Sequence, residues 1–107
     1  MNLCILSGRI VKNATAKNSK ELRVLSFVVE TVNIFNGNEK KDLVSCVCFN
    51  PDPELENQLT KDGEGLYVEL EGRVSSSSMK TNGEKRFNTD VIVRNRTFVV
   101  VNHGGGR

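Results

Sequence analysis

The sequence predicts an all-β fold: a five-stranded barrel with one short helix between its third and fourth strands. Three observations carry the prediction. A short motif occurs twice, as Leu6-Ser7-Gly8-Arg9-Ile10 and as Leu70-Glu71-Gly72-Arg73-Val74. Each copy puts a glycine in mid-strand, where it weakens a flat strand and marks a bend, a bulge or a close backbone approach. Most of the remaining chain alternates apolar and polar residues with a period of two, and the period changes once, at Asp52–Leu59.

The elements follow in order. Asn2 to Val11 is dense in β-formers and makes the first strand, and Lys12 to Lys20 reads as a polar loop. Leu22 to Val32 is the second strand. It sets Arg23, Leu25, Phe27, Val29 and Thr31 on one face and Leu22, Val24, Ser26, Val28 and Glu30 on the other. Both faces are largely apolar, which predicts a strand mostly covered on both sides. Asn36-Gly37-Asn38 with Glu39-Lys40-Lys41-Asp42 reads as a charged turn into the third strand, Leu43 to Asn50. There Cys46 and Cys48 share the face opposite Phe49.

At Asp52-Pro53-Glu54-Leu55-Glu56-Asn57-Gln58-Leu59 an N-cap acid, a proline at the first helical position and early acids start a helix that Gly63 and Gly65 end. Its narrow apolar edge, Leu55 and Leu59, suits a plug at one end of a barrel. Leu66 to Ser75 is the fourth strand. Ser75 to Ser78 forms the outer arm of a hairpin that turns at Asn82-Gly83 and returns as a fifth strand over Arg86–Arg94. Thr97 to Val101 extends or re-enters the sheet, so the domain spans residues 1–101, with 102–107 a flexible tail. Five strands with a helix between the third and fourth is the order of the OB-fold, a Greek-key barrel. A swapped-strand sandwich leaves that helix unexplained.

At 107 residues the chain is one domain. Its start lacks a basic signal-peptide region, and no apolar run approaches the roughly 20 residues of a membrane helix, which predicts a cytoplasmic protein. Cys4, Cys46 and Cys48 are an odd number, so the thiols are expected reduced, as buried small hydrophobes. With one histidine, His103, in a glycine tail, neither a metal nor a cofactor is called for. Net charge is only +2, but seven acids and one base fall between Asp52 and Glu71, leaving the remainder basic. That is either a solvated acidic helix or a barrel with an acidic back and a basic front. No nucleophile with its base, carboxylate pair or metal set points to an enzyme.

The chain resembles the bacterial single-stranded-DNA-binding protein family from its start to about Val101. The resemblance rests on Asn2–Arg9, Phe27–Thr31, Cys46–Phe49, Val68–Val74 and Asn82–Val91, in that order and spacing. It implies single-stranded DNA as partner, bound by bases stacking on aromatic rings while lysines and arginines follow the phosphates. It also implies a homotetramer or homodimer, and a role in DNA replication, recombination or repair.

Carried over position by position, the family's tryptophan after the second strand corresponds to Phe35. Those opening the third strand and lying between strands four and five correspond to Leu43 and Met79, and the phenylalanine ending strand three to Phe49. Phe35, Phe49, Met79 and Phe87 are therefore the stacking or apolar candidates. Phe49 has plain core as its alternative, Met79 reads equally as a gap filler, and Phe87 and Tyr67 read either way. Arg9, Lys12, Arg73, Lys80, Lys85 and Arg86 are the phosphate candidates, each with a plain solvated-surface alternative. Without tryptophan, binding per nucleotide is expected to be weaker than in a typical relative. The family's histidine at a subunit contact corresponds to Val44. The chain stops at His103–Arg107 without the family's acidic tail, so recruitment of partners by that tail is not expected. The alternative function is a primosomal-type OB-fold protein that works mainly through protein contacts in replication restart and binds DNA weakly.

Overall fold

A computed structural model describes residues 1–19, 21–81, 83–94 and 99–101, with only the backbone path described at 19, 77–81, 84–87 and 101. The strands are β1 (Cys4–Ile10), β2 (Thr15–Ser19), β3 (Leu22–Phe35), β4 (Asn38–Phe49), β5 (Tyr67–Thr81), β6 (Glu84–Val93) and β7 (Val99–Val101), with helix α1 (Pro53–Asp62) between β4 and β5. The sheet runs β1-β3-β4-β6-β5 and closes on itself through β1–β5. Among the described residues only the β4–β6 pairing, Cys46 to Val91 and Val47 to Ile92, is parallel. This is the predicted five-stranded barrel with its helix in the predicted place.

Closure requires strands to cross closely, and the repeated motif supplies the crossings. A Cβ on Gly8 would collide with the Glu30 carbonyl oxygen of β3, and one on Gly72 with the Ile92 carbonyl oxygen of β6. Both glycines are buried and face inward, between Leu6 and Ile10 on β1 and after Leu70 on β5. The core comprises Ile10, Leu25, Phe27, Val29, Cys46, Cys48, Val68, Leu70, Val91 and Val93, with Leu59 of α1 and Ala14 filling one end. Burial pushes the Cys46 thiol up to about 12, helped by Cys4 and Asp90, and raises the Cys48 thiol too. All three cysteines are free thiols.

The helix starts as predicted at Pro53, and the Asp52 carbonyl accepts from Glu56 N at 2.9 Å, although the Asp52 side chain makes no capping bond. Side-chain and backbone bonds tie it to the barrel. The Arg23 guanidinium grips both carboxylate oxygens of Glu56, and Ala14 N donates to Leu59 O at 2.8 Å. The hydrogen bond from Arg23 holds the Glu56 carboxyl below its ordinary value.

Three expectations need correction. Within the predicted loop at 12–20, Thr15–Ser19 forms β2 against the start of β3, from Thr15 opposite Ser26 to Ser19 opposite Leu22. Thr-Ala-Lys-Asn-Ser has no apolar alternation; β1 pairs β3 only at Arg9 and Ile10, so the beginning of β3 is left an open edge that the chain covers. The charged turn shrinks to Asn36-Gly37, both at positive φ (52° and 80°), and Asn38–Asp42 belongs to β4. Cross-strand links then extend the hairpin, such as Asn33 Nδ2 donating to Asp42 Oδ2 at 3.1 Å. Among the described residues the second face of β3 is not covered: Leu22, Ser26, Val28 and Val32 are exposed. The end of β5, running to Thr81, is the outer arm of the expected hairpin with β6, and β7 re-enters the sheet on β5 at Tyr67–Glu69. Residues 102–107, the predicted tail, lie outside the described residues.

Candidate nucleic-acid interface

Side chains alternate across a strand and directly opposed residues share a face, so the register of the β3–β4 hairpin defines its outer surface. Val24 stands opposite Phe49, Ser26 opposite Val47, Val28 opposite Ser45, Glu30 opposite Leu43 and Val32 opposite Lys41. The buried face of the same ribbon carries Leu25, Phe27, Val29, Cys46 and Cys48. Phe49 is thus turned away from the core, at 41% exposure, and Leu43 is 66% exposed.

A groove of about 360 Å³ opens over this surface, lined by Val28, Leu43, Ser26 and Ser45 and by Lys12, Asn13 and Thr15 from the β1–β2 connection. The helix sets that connection in place. Asn13 Nδ2 donates to Lys61 O at 3.2 Å, and Asn13 Oδ1 accepts from Glu64 N at 2.8 Å. Lys12 is therefore held beside the groove by the end of α1. The barrel register brings a second cation to the same surface, because Ser26, Val47, Ile92 and Arg73 oppose one another in turn across β3, β4, β6 and β5. At about 4.8 Å per strand, Arg73 lies roughly 10 Å from Val47. Lys12 and Arg73 are exposed and form no ion pair or side-chain hydrogen bond among the described residues.

The remaining candidates fall elsewhere. Phe35 sits at the far tip of the hairpin opposite Asn38, 67% exposed. At about 3.3 Å per residue it is roughly 35 Å along β3 from the Val24–Phe49 pair. Arg9 lies on another stretch of the outer surface, opposite both Glu30 and Tyr67. Met79, Lys80, Lys85, Arg86 and Phe87 belong to the β5–β6 hairpin, where Ser78 pairs Phe87, Met79 pairs Arg86 and Lys80 pairs Lys85. Their side chains lie outside the described residues.

Of the acids between Asp52 and Glu71, Glu56 is taken by Arg23, and Glu71 by Arg94 at 3.2 Å. The lining that β3 gives the groove, Val28 and Ser26, is absent from the candidates read in the sequence. Its only signal is the alternation of Leu22–Glu30, which reads as a covered face.

A closed barrel of this order, with an apolar, cation-flanked outer ribbon, defines an OB-fold of the nucleic-acid-binding class. Comparison with known proteins narrows the class. The single-strand binding protein family matches residues 1–99, and the chain belongs to that family. A single-stranded DNA-binding protein of Clostridium perfringens is 28% identical over 110 residues, covering 100% of this chain and 71% of that protein. A solved Plasmodium falciparum SSB complex with ssDNA superposes with a TM-score of 0.78 at 18% identity, over 95% of this chain and 94% of that one. Family membership carries single-stranded DNA binding without a catalytic step, and nothing favours the primosomal alternative. Among the described residues no helix is long and apolar enough to cross a membrane.

Proposed function

We propose that the chain binds single-stranded DNA without reading its sequence as a whole, along the outer face of β3 and β4, and protects exposed strands during replication, recombination or repair. The observation that carries this is the exposed apolar row of Phe49, Val28 and Leu43 flanked by the unpaired cations Lys12 and Arg73. Bases pack on Phe49 and on the aliphatic row, while phosphates run past Lys12 and Arg73. Phe35 at one hairpin tip and Met79, Phe87, Lys80, Lys85 and Arg86 on the other hairpin extend the track, with Arg9 at its β1 side. Leu43 lacks an aromatic face, so affinity per nucleotide is lower than where a tryptophan stands.

The protein acts in the cytoplasm, on the nucleoid, as a homodimer or homotetramer. Support for the oligomer comes from β1 and the residue before it: Leu3 is 52% and Ile5 71% exposed, and Cys4–Gly8 pairs only β5 among the described residues.

Fluorescence anisotropy with labelled single-stranded and duplex oligonucleotides at two salt concentrations tests the reading. Tight binding of the single strand only, falling steeply with salt, is expected. Absence of single-strand binding near physiological salt by a folded barrel would refute it.

A further inference from the structure

The outer surface carries a second arrangement on its way from Leu43 toward β5. Leu43 faces Glu30, Glu30 faces Arg9, and Arg9 faces Tyr67, in one continuous row across β4, β3, β1 and β5. The close crossing at Gly8 draws β1 against the Glu30 backbone. A carboxylate, a guanidinium and a phenol ring therefore follow one another at strand spacing, about 4.8 Å. They line a cleft of about 360 Å³ whose other wall, the extended β3–β4 hairpin, supplies Glu39 and Lys41. Arg9 is exposed and Glu30 half-buried. Although they face each other across the ladder, neither forms an ion pair or side-chain hydrogen bond among the described residues.

The cleft's two cations are matched by two carboxylates, so it has little net attraction for a phosphate. A nucleobase has the complementary chemistry. Unstacked bases are held by stacking on aromatic side chains and by hydrogen bonds to their edges. Only guanine presents two adjacent N–H donors on its pairing edge, next to a carbonyl acceptor. Two donors side by side suit a carboxylate, and O6 suits an arginine.

We propose that this cleft takes one guanine of the bound strand. Its ring packs on Tyr67, N1–H and N2–H donate to the Glu30 carboxylate, and O6 accepts from Arg9. Arg9 is then a base-reading group, and a binding surface that is otherwise indifferent to sequence acquires a preference at one position. The inference rests on single-stranded DNA binding as proposed above.

The test compares three labelled strands by anisotropy: a thymidine homopolymer, the same strand with guanines interspersed singly, and that strand with hypoxanthine, which lacks the N2 amino group, in place of guanine. The wild-type chain is expected to bind the guanine strand about fivefold tighter than the thymidine strand, the lower end of what a bidentate base contact discriminates. Hypoxanthine is expected to lose most of that gain. Glu30→Gln is expected to bring the guanine and thymidine strands to equal affinity. Equal binding of guanine and thymidine strands by the wild type, hypoxanthine binding as tightly as guanine, or an unchanged ratio in E30Q each overturns the guanine site alone. Failure to bind any of the strands removes the DNA-binding reading as well.

Discussion

At the scale of single residues, Phe49 and Cys48 show how one step along a strand separates chemistry from packing. Cys48 is fully buried, and Phe49, its neighbour, points outward at 41% exposure. A stacked base is worth about 1–3 kcal/mol, so F49A is expected to weaken single-strand binding by about tenfold. Its melting temperature should shift little, since the ring belongs neither to the core cluster nor to the side chains packed against it. Anisotropy and a thermal melt on the same preparation check this; full affinity with a large loss of stability would instead make the ring a packing residue. The outward direction of Phe49 was legible in the alternation of β4, and the exposure of Phe35 in the polar turn beside it. What Arg9 faces was not legible, because Glu30 and Tyr67 reach it from two other strands.

At the scale of elements, two devices hold the binding ribbon in shape. The first is the clasp between α1 and the start of β3. Arg23 binds the Glu56 carboxylate and also donates to Asn18 Oδ1 at 2.8 Å. Because Arg23 holds the Glu56 carboxyl below its ordinary value, the stabilisation is present above the unfolded carboxyl's pKa. It is lost as pH falls through the lowered folded value. Arg23→Met should therefore be less stable than wild type near neutrality, and the two melting curves should converge in acid. A gap that stays constant with pH would assign the loss to packing rather than to the ion pair.

The second device is the crossing of strands at glycine. Overpacking a tight site typically costs about 1–3 kcal/mol, and Gly72→Ala drives a methyl into the Ile92 backbone, so a loss at the upper end of that range is expected in denaturant titration. Unchanged stability would mean that β5 and β6 can separate without cost. The glycines were readable as points of bend, bulge or close approach from their place in mid-strand, and the structure makes them close approaches. By contrast, β2 was not readable. Thr15–Ser19 becomes a strand only because β3 offers it an unpaired edge, and its own residues carry no β pattern.

At the scale of the whole molecule, closure of the barrel puts two surfaces at different places: the cation-flanked ribbon of β3 and β4, and the apolar stretch of β1. The Asn2 side chain takes over the β1–β5 ladder where the backbone leaves it, donating from Nδ2 to Val74 O at 2.7 Å and accepting from Val74 N at Oδ1 at 2.9 Å. The start of β1 is thereby fixed while Leu3 and Ile5 stay exposed. If β1 joins copies of the chain, Ile5→Lys should lower the mass measured by light scattering without unfolding the barrel, because Ile5 contributes no buried contact to the single chain. An unchanged mass would move the interface elsewhere.

The succession of the five barrel strands along the chain, the place of the helix and the resemblance to single-stranded-DNA-binding proteins were determined by the sequence itself. Those properties depend on local periodicity and on motifs whose residues are neighbours in the chain. Which outward residues share a surface was decided only by the tertiary structure. Strand register joins Ser26 to Arg73 and Leu43 to Tyr67 across intervening strands, and no local pattern encodes a register set by the closing of a barrel.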